Sequence, residues 1–493
     1  MSSSICSSGT VSSPQGAPAG RGLVLRQKAR LLPADMDTPI SLFMGMVGAG
    51  DGILLESAAV DGRWGRYSIL ACDMLLLLSC HKGRLRLSVQ DDRLSSLKEL
   101  EGLPFAEGLR ALMRLLTIQA PEGMADLPPI TRALYGYLGF EMAGLFNPRL
   151  AACMPVDEAE CQLALPGTIL VFDHVYNRLC QLSLDEFSDV RSAHEASHFP
   201  GHRDVTTPEP LAEPDAQGYQ ETVRRIRLAL QQGEAIQVVP SVHFSQPFRG
   251  DGFGLYRRMR RINASPYMFY MHLPGISLFG SSPEVMVRCS KGDLHLAPIA
   301  GTRPRGRDDF EDHQLELDLL SDPKERAEHV MLVDLGRNDL GRIAEKGSVH
   351  VDRLMQIERF SHVMHLTSQV SARLKAGLDA VDVLAATFPA GTVSGAPKIR
   401  AMEILREMEG RPRGPYAGSI GWIGLDRESV SLDMGITIRS MWIRNGRLNW
   451  QAGAGIVHDS VPEKEWKEVC NKSAIMRQSL LNTEEGAHVS LHR

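Results

Sequence analysis

Four glutamates carry the first chemical signal in this chain. Glu325 and Glu328 stand three residues apart behind Asp322-Pro323, and Glu465 and Glu468 repeat that spacing behind Pro462. Aspartate suits a helix N-cap and proline suits a first turn, so each pair falls on one face of a predicted helix. Spacing alone leaves two readings open. The carboxylates can cap and solvate two helix starts, where the dipole favours acidic residues. They can instead hold one hard divalent cation through oxygen, as Mg²⁺ prefers.

Anion-gripping chemistry comes from glycine-bearing segments. The stretch 298–306, with Ala300-Gly301-Thr302 followed by Arg303 and Arg305, is predicted to leave a strand around His295 as a stiff loop holding two arginines for an anion. Segment 387–398 is punctuated by Gly391 and Gly395 and leads into a predicted helix, where backbone N–H groups and Lys398 suit an anion. It lacks the spacing of a P-loop. Arg439 is predicted on an alternating strand over 434–442, and Gly453-Ala454-Gly455 offers backbone donors with open space beside them. His362 and His365 face opposite sides of an extended chain, which makes them a poor metal pair, but one histidine at a site can move a proton near neutrality. Segment 334–340 reads as a helix end and polar turn of structural use.

The elements that must place these residues read as α+β. Strand patterns dominate from about 24 to 187, including a hairpin over 168–182. A polar, proline-bearing stretch follows, in which Pro200 argues against a helix aligning His194, His198 and His202. Helices are predicted over 217–231, 253–260, 323–334, 379–387, 396–409 and 462–481. Strands alternate with them, and long antiparallel pairs argue against a doubly wound sheet. The predicted organisation is a disordered tail over 1–20, a domain over 21–190, a linker over 191–214, a second domain over 215–481 and a tail over 482–493.

Bulk properties exclude some classes. The net charge is −5, which gives no polyanion-binding signature and excludes nucleic acid as a partner. The longest apolar run, around Leu76, is too short to span a bilayer, so no membrane is expected. The first twenty residues lack the basic start and apolar core of a secretory signal. The eight cysteines are scattered with no CxxC pair, as expected of reduced thiols in a cytoplasmic protein.

Taken together and in order, these segments resemble the chorismate-utilising enzymes. The matching residues include Gln237-Val238-Val239-Pro240-Ser241, Ser265-Pro266-Tyr267-Met268, Gly280-Ser281-Ser282-Pro283-Glu284 and the 298–306 block. They continue through 325–340, Ser361-His362-Val363-Met364-His365, 392–398, Gly414-Pro415-Tyr416-Ala417-Gly418, 453–457 and 459–472, covering roughly 215–480. Leu54-Leu55-Glu56-Ser57 and Arg66-Tyr67-Ser68 resemble the domain that precedes this one in anthranilate synthase large subunits. The resemblance implies two large facing β-sheets surrounded by helices and a Mg²⁺-dependent reaction on chorismate. It implies Glu328 and Glu468 as metal ligands with Glu325 and Glu465 beside them. Glu284, His365, Gln237 and Thr392 are the implied catalytic residues. Ala300, Gly301, Thr302, Lys398, Tyr416, Arg439, Gly453, Ala454 and Gly455 would bind substrate. Against the family pattern, Arg303 and Arg305 are expected to shape their loop or pair with acidic neighbours.

Two positions select the reaction. Family members that add water carry lysine where this chain has Gln237, and aminodeoxychorismate synthases generally carry a covalent lysine where it has Ala300. Both point to ammonia as the nucleophile and to an anthranilate synthase, yielding anthranilate and pyruvate at the first committed step of tryptophan biosynthesis. No glutaminase cysteine elbow is visible, so the resemblance implies ammonia from a separate glutamine amidotransferase subunit. Glu56, Ser57, Pro266, Tyr267 and Met268 resemble a tryptophan feedback pocket. The sequence departs from the usual pattern at Val242-His243 and at Ala264, the latter beside that pocket. Rival readings are an aminodeoxychorismate synthase, an aminodeoxyisochorismate synthase, and a non-catalytic tryptophan-binding regulator.

Overall fold

The computed structural model of the chain describes residues 22–57, 66–190, 209–360 and 363–480. The expected tails, most of the 191–214 linker with His194, His198 and His202, and His362 lie outside them.

Apolar strands and amphipathic helices give an α+β molecule in which twenty strands join one hydrogen-bonded network among the described residues. The centre of the network is the antiparallel pair Tyr67–His81 and Cys161–Asp173. The second of these is almost wholly buried, and its sequence is correspondingly a near-continuous apolar run. Pro166 cannot donate to a ladder; it sits opposite Met74, where a bulge between Met74 and Leu76 relaxes the register.

From this centre the ladder runs two ways and folds into two facing layers. One arm passes through Gly52–Glu56, Tyr267–Leu273, Ile276–Ser282, Ser440–Arg444, Arg447–Gly453 and Ser241–Pro247. The other passes through Ala133–Leu138, Ser419–Gly424, Leu432–Ile436, Val285–Ser290, Asp293–Leu296 and Val363–Arg373. Strands before residue 190 thus pair with strands after residue 209. Hydrogen bonds join 52–56 to 267–273 and 133–138 to 419–424.

The chain crosses between the two arms twice at one place. Ile276–Ser282 reaches Val285–Ser290 through Pro283-Glu284, and Leu432–Ile436 reaches Ser440–Arg444 through 437–439. This corrects the single strand expected over 434–442. Arg439 itself has φ 49°, a left-handed backbone that alternation in the sequence does not signal. Its carbonyl accepts from Ser281 N at 3.1 Å, and Glu284 O accepts from Ile436 N at 3.0 Å, so each crossing pins the other.

Three more expectations change. The 298–306 stretch is a strand, Ile299–Pro304, paired with Val363–Arg373. Segment 334–340 belongs to the helix Pro323–Gly341. A helix over Asp309–Ser321 and an edge strand over His350–Arg359 also exist. Both are largely solvent-facing and charged, so neither shows a continuous apolar face.

Candidate active site

The crossings put Glu284 and Arg439 together. Glu284 is 8 % exposed, and burial pushes its carboxyl up to about 7 against the pull of Thr392, Lys472 and Arg439. Such a rise is worth about 3 kcal/mol in favour of the neutral form. Arg439 is half-buried beside it, and desolvation lowers its pKa while the Glu284 charge opposes that. The Thr392 hydroxyl lies close to Glu284 but is buried with no aligned hydrogen-bond partner among the described residues. A cavity of about 40 Å³ borders Glu284, Gly391, Thr392 and Pro298, room for a molecule the size of water or ammonia.

A bulge builds the histidine site. The pairing of Ile299–Pro304 with Val363–Arg373 skips between Ala300 and Thr302, and Gly301 at φ 66° takes the extra position. A Cβ at Gly301 would meet Leu319 at 2.9 Å, so the residue needs both the left-handed backbone and the lack of a side chain. The bulge turns Gly301 O toward His365 Nδ1 at 3.0 Å, and Thr302 Oγ1 lies 3.1 Å from the same nitrogen. His365 is 9 % exposed, and desolvation lowers its pKa. Because Nδ1 donates to a carbonyl, Nε2 is left as the free acceptor of the neutral ring.

Gln237 is held by a short antiparallel pair with Gly395-Ala396. Its Nε2 donates to Glu328 Oε1 at 3.0 Å. Gly455 packs against the same amide, since a Cβ there would lie 2.6 Å from Gln237 Nε2. Gly453 is equally constrained, with Pro240 O at 2.6 Å and the Tyr416 hydroxyl at 3.0 Å from any added Cβ. Ala454 is buried and donates to Pro240 O. Gln237, Glu328, Tyr416 and the Gly453–Gly455 backbone therefore form one wall.

The helix starts deliver the glutamates as the caps predict. Asp322 accepts from Lys324 N and Glu325 N, with Pro323 in the first turn. Glu325 forms no capping box; burial and the neighbouring Glu328 raise its pKa, and Arg303 lies 3.4 Å away. Glu465 is buried, which raises its pKa; among weaker influences are Glu468, which raises it, and Lys324 from the other helix, which lowers it. Among the described residues no three acidic, histidine or cysteine side chains converge tightly enough to enclose a metal. The donor set nevertheless suits a hard cation: four carboxylates, all oxygen, with like charge crowding within each pair.

Arg303 and Arg305 do not grip a ligand. Arg303 bonds Asp318 at 2.6 Å and Asp322 at 2.9 Å, and Arg305 bonds Asp312 at 2.8 Å. Lys398 is held by an internal ion pair. Its ammonium bonds Asp339 at 2.6 Å and Thr387 O at 3.1 Å, and both of those residues also line the cavity at Glu284.

Sequence reasoning missed Lys472. It bonds Gly453 O at 3.1 Å and Glu468 at 2.9 Å, and its charge acts on both Glu284 and Glu465. Its i,i+4 spacing from Glu468 was the available signal.

The residues expected to form a feedback pocket meet across strands, with Glu56 opposite Met268 in the ladder. Glu56 accepts from Tyr256 at 2.6 Å and from Arg260 at 2.9 Å through both nitrogens. Those partners come from the helix Gly252–Ile262 and were not foreseen. Tyr267 is anchored by Asp433 at 2.6 Å and Arg288 at 3.1 Å, while Pro266 and Ser57 end the two strands at partly exposed positions.

A buried acid, an oriented histidine, a half-buried guanidinium and carboxylates at two helix starts suit a small anionic substrate undergoing proton transfer. The chain matches the family described as chorismate binding enzyme over residues 81–478, and it belongs to that family. Among its relatives, anthranilate synthase component 1 of Aquifex aeolicus is 38% identical, over 92% of this chain and 94% of the relative. The Pseudomonas aeruginosa protein of the same name is 37% identical over 92% and 94%. The crystal structure of anthranilate synthase component I from Streptococcus pneumoniae matches with TM-score 0.68 and 31% identity, covering 90% of this chain and 99% of that one. The menaquinone-specific isochorismate synthase of Escherichia coli matches at TM-score 0.68 with 21% identity, covering 94% and 96%, a likeness of fold alone.

Proposed function

We propose that this chain is an anthranilate synthase large subunit: it converts chorismate and ammonia to anthranilate, pyruvate and water. The observation that carries this reading is the pair of side chains at the two selecting positions. Ala300 stands beside the Gly301 bulge with no nucleophile, and Gln237 presents an amide rather than a base. Ammonia needs neither, because it is already a nucleophile.

Chorismate is a dianion, and Arg439, the Tyr416 hydroxyl and the Gly453–Gly455 backbone hold its enolpyruvyl side. Ammonia attacks C2 while Glu284 protonates the departing C4 hydroxyl, which leaves as water. Thr392 has an unused hydroxyl at that carboxyl to orient the exchange. The C2 proton is then removed, with the Nε2 of His365 as the available acceptor, the C3–O bond breaks, and the departing enolpyruvyl group takes up one proton on its methylene carbon to become pyruvate. Glu328 and Glu468, with Glu325 and Glu465 beside them, would hold Mg²⁺. When bound, that ion supplies positive charge to a substrate carboxylate. Gln237 orients Glu328 for this task. Ammonia comes from glutamine through a separate amidotransferase subunit. Tryptophan inhibits at the pocket of Glu56, Ser57, Pro266, Tyr267 and Met268, and the enzyme works in the cytoplasm.

The test is purified chain with chorismate, Mg²⁺ and an ammonium salt at alkaline pH, with and without tryptophan. Anthranilate fluorescence with equimolar pyruvate is expected, falling when tryptophan is added. A 4-amino product, an unaromatised amino product or no turnover overturns the activity; a rate indifferent to tryptophan overturns the feedback site alone.

A further inference from the structure

Arg413 belongs to none of the sets above, yet its guanidinium touches the backbone behind most of the proposed site. It is 2 % exposed. Nε donates to Glu409 Oε2 at 2.8 Å, and Nη2 donates to Glu409 Oε1 at 2.7 Å and to Val239 O at 2.6 Å. Nη1 donates to Val393 O at 2.8 Å. Four of the five guanidinium N–H bonds are thus used. The plane lies over the Phe140 ring at 4.6 Å and near the Tyr416 ring at 5.7 Å.

The neighbours extend the same hub. Arg413 N donates to Glu141 Oε1 at 2.6 Å, and Gly414 N donates to Glu141 Oε2 at 3.1 Å. Gln451 Nε2 donates to Arg413 O at 2.9 Å. Glu409 Oε1 also accepts from Ser241 N at 2.8 Å. Three of these contacts lie a step or two along the chain from a site residue. Val239 follows Gln237, Val393 follows Thr392, and Gln451 precedes Gly453.

Stability does not account for such an arrangement. A buried ion pair costs much of what it returns, and apolar residues often replace one without loss. A planar fork with fixed directions does what an apolar residue cannot, which is to set the relative position of four chain segments. We propose that Arg413 is a positioning residue that fixes Gln237, Thr392, Tyr416 and the Gly453–Gly455 backbone relative to one another from behind the pocket. This rests on the reading of those residues as the active site.

The test is Arg413→Lys, assayed beside the wild type in the full chain. Lysine keeps the charge and loses the fork. Expected are a kcat loss on the order of 10²-fold, the scale of an ångström-sized misplacement, and a raised KM for chorismate. The pH limb set by Glu284 should also move upward. Lys472 and Arg439 still face that carboxyl, but the Thr392 hydroxyl drifts from it. Arg413→Ala should recover activity with added guanidinium and not with methylammonium. If Arg413→Lys does not fold, Glu141→Gln, which withdraws one loop anchor, should shift the limb in the same direction. A lower Tm with unmoved limb and KM, in whichever variant folds, overturns the inference. A wild type that makes no anthranilate overturns the functional reading and this inference with it.

Discussion

Burial holds the Glu284 carboxyl at about 7, while the substrate it serves needs a proton on a leaving hydroxyl. The protonated form is the active one, so the rate referred to free NH₃ falls as pH rises through about 7. Glu284→Gln should lower kcat by about 10²- to 10⁴-fold, the range of one general acid, and abolish that limb. Chorismate affinity should hold, and Tm at pH 8 should not fall, because the variant removes a buried carboxylate that is otherwise ionised there. Undiminished kcat would dismiss Glu284 as the acid. Residues at this scale were legible to unequal degrees. Glu284 and His365 came from resemblance, since nothing in their local sequence announces burial. The partner of Lys398 was not legible, because Asp339 lies 59 residues away in the chain.

At the scale of elements, the two-residue pair Gln237-Val238 with Gly395-Ala396 separates two kinds of glycine. Gly395 has φ 124°, and an added Cβ would lie 2.1 Å from Gln237 O. Gly395→Ala should cost stability, about 1–3 kcal/mol from the backbone alone, together with activity. Gly455→Ala meets only the end of the Gln237 side chain and should lower activity with little change in Tm. Equal stability losses in thermal scans of the two would refute the distinction. Elements with capping residues or clean periodicity were read to within a few positions, as at Ala216–Gln231 and Tyr267–Leu273. The break at Arg439 was not, because a left-handed non-glycine residue leaves no compositional mark.

For the molecule as a whole, strand pairs between sequence-distant segments join the two halves of the chain. Residues 209–480 expressed alone would leave Tyr267–Leu273 without Gly52–Glu56 and Ser419–Gly424 without Ala133–Leu138. That fragment should show no cooperative thermal transition, whereas mixing it with residues 22–190 should restore one. A cooperative transition in the fragment alone would show that the missing strands are dispensable. Sequence patterns gave the α+β class, but strand neighbours depend on contacts hundreds of residues apart, which local periodicity does not encode.

The edge strand His350–Arg359 carries a last consequence. It pairs on one side with Val363–Arg373 and shows no second strand partner among the described residues. An unpaired edge is a template for another molecule's strand, and a large sheet protein at cellular concentration is exposed to that hazard. Here the edge bears Asp352, Arg353, Glu358 and Arg359, with most positions open to solvent. A second copy docking there would have to strip the water from these charged side chains. The same charges that hid this strand from pattern reading keep the folded protein from polymerising along it.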